Sequence, residues 1–300
     1  MTTTITVFSV VGAVLFLGEA RVGLSQPSTA ALVTRMVDVD GRQVRVRTSG
    51  LDSRSGRQPI VVFESGGSAP LETWDSILPA VATFAPLVAY DRVGTGESPW
   101  DSLPQTPERI VARLRQLLTT LGAAPPYLLV GHSWGGALIR YFGGTYPADV
   151  VGMVYIDPTD LTQSRAEEIA VFESIGSSGA ARDSFYTMME RAMSNAPPAL
   201  RSEGAVTMAI FKQDLAERNL PTVPRVPTTV LVAGKQTVLP QAGLSFDVTR
   251  FAEASYEARL RSLRTWVRAP GQLIVATHSG HMIHNSEPEL VIDAIRRFAR

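Results

Sequence analysis

Residues 127–136 read Tyr127-Leu128-Leu129-Val130-Gly131-His132-Ser133-Trp134-Gly135-Gly136 and lead straight into the helix-like run Ala137–Phe142. An apolar stretch typical of a β-strand therefore meets a G-x-S-x-G pattern and passes directly into a helix. At such a turn the serine is forced outward, where its hydroxyl can attack a carbonyl group. Gly131 and Gly135 leave room for a tight turn that a Cβ would crowd. The pattern predicts Ser133 as a nucleophile; the alternative is an ordinary glycine-rich turn with a solvated serine.

Composition restricts the classes of function. The 300 residues include 28 basic and 28 acidic side chains, so the net charge is zero and we expect no nucleic-acid partner. The chain contains no cysteine, which excludes disulfides, thiol nucleophiles and thiolate metal sites. An apolar fraction of 45% is ordinary for a globular protein of this length.

The N-terminus carries its own signal. Ile5–Gly18 is uncharged and mostly apolar, too short for a comfortable membrane span but suited to the apolar region of a signal peptide. Residues 1–25 are therefore predicted to be a signal peptide, and the protein to be secreted or periplasmic. Because Met1–Thr4 has no Lys or Arg, an N-terminal anchor or a cytoplasmic protein with a misplaced start are the alternatives.

Short apolar runs alternate with helical patterns along the chain. Met36–Val46 is predicted to form two strands joined by a turn at Asp40-Gly41. The alternation that follows predicts the α/β class, with a mostly parallel central sheet covered by helices on both faces. Ligands of such sheets bind at the carboxyl ends of the strands. The other predicted strands are residues 59–63, 87–90, 127–130, 151–156, 228–232 and 273–275.

Helical patterns fill the segments between the strands. Thr106-Pro107 is predicted to begin a helix, since proline suits the first turn. Residues 161–221 lack strand signals and show helical periodicity, which predicts a helical insertion over the sheet. Ser286–Glu289 matches a capping box and predicts a further helix near the C-terminus.

A serine nucleophile needs a base, and histidines follow the last predicted strand. His278, His281 and His284 are spaced by three residues, which also fits metal ligands, but no carboxylate or cysteine cluster accompanies them. One of the three is therefore predicted to be the base, oriented by a third group. The small pair Ser279-Gly280 allows His281 a close approach. His132, inside the elbow, is predicted to pack beneath the helix.

Three motifs in this order resemble those of the α/β-hydrolase superfamily, in its esterase- and lipase-like branch. They are the elbow Gly131–Gly135, the D-x-x-G-x-G-x-S stretch Asp91–Ser98, and Ser279-Gly280-His281 followed by Glu287-Pro288-Glu289. The resemblance covers residues 35–300. It implies an α/β-hydrolase core at 34–160 and 222–300, a helical cap at 161–221, and a Ser–acid–His triad with His281 as base and His278 as the alternative.

The triad acid departs from the commonest pattern of that superfamily. Family members usually carry an aspartate shortly after the strand 228–232, where this chain has Thr237. Some members carry the acid after the preceding strand, and there Asp157 occupies that position. Asp157 is therefore the predicted acid, with Asp160 and then Asp247 as alternatives. An Asp-Pro turn is the structural interpretation of Asp157.

The resemblance also implies an oxyanion hole of two backbone N–H groups. One belongs to Trp134, the residue after the nucleophile. The other is assigned by alignment to Gly67, with Gly66 as the alternative, and a flexible turn is the structural interpretation of the pair. Glu64 is expected to face away from the oxyanion, and Asp91-Arg92 to order their own loop.

Apolar and aromatic side chains of the predicted cap allow two interpretations. They either line an acyl pocket that sets specificity or pack the cap against the core. The set comprises Met188, Met189, Met193, Met208, Phe172, Phe185, Tyr186 and Phe211.

The predicted function is a serine hydrolase that cleaves a small-molecule ester through an acyl-enzyme intermediate. No metal, nucleotide or flavin motif is present in the sequence, so we expect no cofactor, and no obligatory protein partner is evident. The His-Ser-Trp-Gly-Gly elbow also resembles aminopeptidases of the proline iminopeptidase type. The threonine at position 237 favours a third alternative, a non-catalytic member of the fold that binds a small molecule.

Overall fold

A computed structural model describes residues 31–236 and 244–299, which form one eight-stranded sheet with helices on both faces. The strand order is β1-β2-β4-β3-β5-β6-β7-β8. Strand β2 pairs antiparallel with β1 and β4, and every other pair is parallel. The strands are β1 Val33–Val39, β2 Arg42–Ser49, β3 Ile60–Glu64, β4 Leu87–Tyr90, β5 Tyr127–His132, β6 Val150–Ile156, β7 Thr228–Ala233 and β8 Leu273–Ala276.

Helices cover the two faces because the strand side chains alternate between two apolar clusters. Ile60 and Val62 of β3 face the cluster with α2, α3 and α7, whereas Val61 and Phe63 face the cluster with α1, α8 and α9. The helices are α1 Leu78–Val81, α2 Pro107–Thr120, α3 Trp134–Thr145, α4 Arg165–Ser174, α5 Gly179–Ala192, α6 Pro198–Lys212, α7 Val248–Arg264, α8 Ile283–Ser286 and α9 Pro288–Phe298, with short 3-10 turns at Leu71–Trp74 and Pro147–Asp149.

The predicted fold class is confirmed. Each predicted strand is present within two or three residues of its expected ends, since a strand buried on both faces is apolar throughout and bounded by turns. Asp40 and Gly41 form the predicted hairpin turn with φ of 52° and 72°. Helix α2 begins at Pro107, and the Thr106 side chain accepts a hydrogen bond from the Arg109 N–H as its N-cap.

The predicted capping box at Ser286 is wrong. Ser286 is the last residue of α8, and its hydroxyl donates to the Ser279 hydroxyl and the Met282 carbonyl. Helix α9 begins at Pro288 with Glu287 as its N-cap, without a side-chain cap bond. The Glu287 carboxylate instead accepts from the Ser279 hydroxyl at 2.6 Å, so this stretch holds the loop after β8 in place.

Helices α4, α5 and α6 lie between β6 and β7, within the segment 161–221, and are called the helical insertion below. Phe172 and Phe185 of this insertion pack against Phe246 and against Phe251 of α7. Of the two interpretations of the aromatic set, packing therefore describes this pair. No helix within the described ranges is long and apolar enough to cross a membrane. Residues 1–25 and Thr237 lie outside the described residues.

Candidate active site

Ser133 lies at the sharp turn between β5 and α3. Its φ of 53° and ψ of −120° are unfavourable for any residue with a Cβ. The turn is held by neighbouring backbone, since the Ser133 N–H donates to the Ile156 carbonyl at 3.0 Å and the Ser133 carbonyl accepts from the Thr159 N–H at 2.9 Å. These bonds fix the half-buried serine above the carboxyl ends of β5 and β6.

The glycines of the elbow are required by close backbone contacts. A Cβ on Gly135 would lie 2.6 Å from the Ser65 carbonyl oxygen, closer than real Cβ contacts occur. A Cβ on Gly131 would lie 2.5 Å from the Gly135 carbonyl oxygen. The loop after β3 therefore lies directly against the first turn of α3, beside Ser133.

Asp157 and His281 are paired. Asp157 is the first residue after β6, with a φ of 42°, and its Oδ2 accepts a hydrogen bond from His281 Nδ1 at 2.6 Å. Its Oδ1 accepts from the Ala233 N–H at 3.1 Å, which ties the carboxylate to the end of β7. With Nδ1 committed to Asp157, the imidazole Nε2 is left to act as a proton acceptor.

Arg259 of α7 also binds Asp157. Its Nη1 donates to Asp157 Oδ1 at 2.8 Å and its Nη2 donates to the Pro158 carbonyl at 2.8 Å. Burial on its own would raise the pKa of Asp157, but the hydrogen bond from His281 and the Arg259 charge hold that pKa well below its usual range. Asp157 is thus an anion throughout the range in which a histidine base operates.

Two further imidazoles lie behind His281. The His132 ring is 4.5 Å from the His281 ring and 4.7 Å from the His284 ring, measured between centroids. His132 Nε2–H donates to the His281 carbonyl at 2.9 Å, which joins the elbow to the loop after β8. Burial, together with the neighbouring His284 and His281, lowers the pKa of His132 to about 3. Burial and His281 lower the pKa of His284 to about 4, so both rings are neutral near pH 7.

These ring contacts and the hydrogen bond from His132 bring the loops of Ser133 and His281 side by side. The Ser133 hydroxyl does not hydrogen-bond to His281 in this structure, and such contacts often tighten only when substrate binds. His281 is half exposed, so its ring is accessible from the carboxyl ends of the strands.

Residues Ser65–Ser68, called the 65–68 loop below, follow β3 and border the elbow. A Cβ on Gly66 would lie 3.4 Å from Ser133 Cβ, and one on Gly67 would lie 4.0 Å from Trp134 Cβ. The N–H groups of Gly66 and Gly67 have no acceptor within the described chain. The Trp134 N–H is at the first position of α3, where no intrahelical acceptor exists. These groups are thus available to an oxyanion beside Ser133.

The acidic residues Glu64 and Asp91 near this loop are bonded to residues outside it. The Glu64 carboxylate accepts from Tyr90 Oη at 2.5 Å and from Arg92 Nη1 at 2.8 Å. Burial raises the pKa of Glu64, although Arg92 and Tyr90 oppose that shift. Asp91 accepts from the backbone N–H groups of Leu71 and Glu97, at 2.7 and 2.9 Å, and so orders its own loop.

The alternative site residues have other partners. Asp160 accepts from the Thr162 N–H and hydroxyl, at 2.8 and 2.6 Å. Asp247 is the N-cap of α7. His278 is exposed, whereas His281 makes the contact with Asp157.

A cavity of about 450 Å³ opens beside the paired side chains. Its lining includes Asp157 and His281 together with apolar and aromatic residues of α7, among them Phe251 and Tyr256, and the cations Lys235 and Arg259. Within the described ranges, no cluster of three or more His, Cys, Asp or Glu side chains could hold a metal ion.

Two charged contacts of the site were not foreseen from the sequence. Arg259 reaches Asp157 across 102 residues of sequence, and Glu203 reaches Arg92 across 111. Neither pair has a local sequence signal.

Comparison with known proteins finds relatives of similar sequence. The chain is 27% identical to the uncharacterised protein YqjL of Bacillus subtilis (strain 168) over 237 residues, covering 78% of this chain and 81% of YqjL. It is 31% identical to the proline iminopeptidase of Heyndrickxia coagulans over 126 residues, covering 41% and 42% of the two chains.

The fold is also that of solved hydrolases. The carboxylesterase CesB (YbfK) of Bacillus subtilis superposes with a TM-score of 0.53 at 17% identity, covering 89% of this chain and 91% of CesB. A family model described as the alpha/beta hydrolase family matches residues 61–294, which include the elbow, Asp157 and His281. That match spans most of the chain, and together with the sheet and its serine elbow it shows that this protein belongs to the α/β-hydrolase family.

Proposed function

We propose that the protein is a serine hydrolase that cleaves a small-molecule carboxylic ester. The observation that carries the proposal is the 2.6 Å contact between His281 Nδ1 and Asp157 on a loop tied to the Ser133 elbow. A histidine oriented in this way beside an outward-facing serine is the arrangement that activates a hydroxyl nucleophile.

The proposed reaction has two halves. Ser133 Oγ forms a bond to the ester carbonyl carbon while His281 Nε2 takes its proton, and the negative charge collects on the carbonyl oxygen. The N–H groups of Trp134 and Gly67 stabilise that oxyanion. The C–O bond then breaks as His281 protonates the leaving alcohol. Water then bonds to the acyl carbon as the same imidazole takes its proton, and the bond from that carbon to Ser133 Oγ breaks as the proton passes to Oγ. Asp157 stabilises the imidazolium in both halves.

The test is turnover of a p-nitrophenyl ester series by wild type, Ser133→Ala and the matched control Ser164→Ala. Ser164 is the N-cap of α4, and its hydroxyl bonds to Glu167 of the same helix. We expect Ser133→Ala to lower kcat by at least about 10³-fold, since the nucleophile is lost, and to abolish labelling by a fluorophosphonate. Ester turnover that persists in Ser133→Ala would contradict the proposal.

Two outcomes would redirect the assignment. Cleavage of proline p-nitroanilide without ester turnover would favour the aminopeptidase alternative, consistent with the similarity to a proline iminopeptidase. Such an enzyme needs a free carboxylate for the substrate amine, and Glu64 and Glu203 near the 65–68 loop are both bound to Arg92. No turnover of either substrate and slow labelling of Ser133 would favour a non-catalytic binding protein.

A further inference from the structure

Arg92 is buried between the helical insertion and the 65–68 loop and hydrogen-bonds to both. It is 2% exposed, and each of its five N–H donors has an acceptor. Two bonds go to Glu203 of α6, from Nε at 2.7 Å and from Nη2 at 3.1 Å. The others go to Glu64, at 2.8 Å, and to the carbonyls of Ser65 and Gly66, at 2.7 and 2.6 Å.

The two carbonyl contacts determine where the loop's N–H groups point. In a trans peptide the C=O and the N–H lie on opposite sides of the C–N bond. Because the Gly66 carbonyl points at Arg92, the N–H of Gly67 points away from Arg92. The Ser65 carbonyl directs the Gly66 N–H in the same way. Both N–H groups lack an acceptor in the described chain, and both glycines border the elbow.

Glu203 connects α6 to both ends of the 65–68 loop, to one end through Arg92 and to the other directly. It holds the Arg92 guanidinium, and its Oε2 accepts from the Ser68 N–H at 3.2 Å. Helix α6 is also fixed to the core by the Ser202 hydroxyl, which accepts from the Gln105 N–H at 3.1 Å. Glu203 is 2% exposed, so water does not compete for its carboxylate.

We propose that Arg92 and Glu203 are positioning residues that orient the oxyanion-binding N–H groups of the 65–68 loop. Because Glu203 belongs to α6, this orientation then depends on how α6 packs against the core. The inference rests on the proposed function, because it assigns the loop a role in stabilising an oxyanion. Neither residue touches the reacting atoms. Their effect is on the geometry of Gly66 and Gly67.

Glu203→Gln tests the link with little change of shape. An amide keeps one acceptor for Arg92 Nε but places an N–H₂ where Oε2 accepted from Arg92 Nη2 and the Ser68 N–H. We expect kcat to fall about 10- to 100-fold with KM changed less than about threefold, since complete loss of one oxyanion donor costs about 10²–10³. Affinity for an alkyl trifluoromethyl ketone, which forms an oxyanion on Ser133, should fall by the same factor as kcat/KM.

Glu168→Gln is the matched control. Glu168 is also a buried carboxylate of the insertion bonded to an arginine, Arg182 at 2.5 Å, but it does not contact the 65–68 loop. Both variants remove one buried negative charge that is paired with arginine, but Glu168 makes no contact with the 65–68 loop, so we expect only Glu203→Gln to lower kcat. Arg92→Lys, which keeps the charge but has three donors in place of five, should also lower kcat and serves if Glu203→Gln does not fold.

Crystal structures of the variants make the test independent of substrate choice. We expect the Gly66–Gly67 peptide to rotate or become disordered in Glu203→Gln. An unmoved peptide, a kcat within about twofold of wild type, or an equal loss in Glu168→Gln would each overturn the inference. If wild type shows no Ser133-dependent turnover, the proposed function fails. The position of the Gly66–Gly67 peptide in the Glu203→Gln crystal structure then decides alone whether Glu203 orients the loop.

Discussion

Asparagine at position 157 would retain the shape of the aspartate while removing its charge. In the wild-type protein both oxygens of Asp157 accept hydrogen bonds. Oδ2 accepts from His281, and Oδ1 accepts from Arg259 and from the Ala233 N–H. Two donors face the Oδ1 position and one faces Oδ2. The single oxygen of asparagine will therefore turn toward Arg259 and Ala233, and its N–H₂ will face His281 Nδ1.

An N–H₂ at that position selects the wrong tautomer of the base. His281 Nδ1 must then accept, so the proton moves to Nε2, which can no longer take the proton of Ser133. The same substitution in the serine-protease triad lowers kcat by about 10⁴, or roughly 5.4 kcal/mol of transition-state stabilisation. We expect a loss of kcat/KM of that order at pH 7.5.

The assay is p-nitrophenyl ester hydrolysis, with urea unfolding to show that the fold is kept. Asp160→Asn is the control, because Asp160 is similarly buried and follows the same strand but, among the described residues, its carboxylate is bonded to Thr162 alone. A loss of less than about tenfold in Asp157→Asn would refute the assignment of the acid. A large loss in Asp160→Asn would transfer the role to that residue.

Two further predictions concern Arg259 and the elbow. Arg259→Gln removes the cation that donates a hydrogen bond to Asp157 Oδ1 and so loosens the carboxylate that orients His281. We expect kcat/KM for the ester to fall by about tenfold, the equivalent of a hydrogen bond to a charged group of about 1.5 kcal/mol, and an unchanged kcat/KM would contradict this role of Arg259. Gly135→Ala places a Cβ 2.6 Å from a backbone oxygen of the 65–68 loop and should lower the free energy of unfolding in urea by about 3 kcal/mol. Gly179→Ala, whose Cβ would meet its neighbours at 3.6 Å, should not, and equal losses would remove the steric explanation.

The sequence predicts those features whose signal is local. Strands of a parallel sheet are apolar throughout, and the elbow places its strand, glycines and helix within sixteen residues, so both could be found without a structure. The α/β class follows from their alternation. The capping box at Ser286 failed because its local pattern was overridden by tertiary contacts of Glu287 with Ser279.

The remaining features depend on contacts between distant segments. Asp157 could be proposed from its place after β6, but nothing near it in sequence indicates Arg259, because α7 itself was not predicted. Glu203 likewise looks like an ordinary surface acid, the one carboxylate of an amphipathic helix. The burial of Glu203 against Arg92 depends on how α6 packs on the core, which is a property of the whole fold.

The positive φ angles of the site have a consequence for evolution and engineering. Of the six non-glycine residues with positive φ in the described ranges, Ser68, Ser133 and Asp157 belong to the candidate site. Each such residue costs about 1–3 kcal/mol, which glycine would recover. Mutants chosen only for heat resistance will therefore tend to accumulate changes at the positions that the chemistry requires. A library built to stabilise this protein must be screened for turnover at the same time, or thermostability will rise as function is lost.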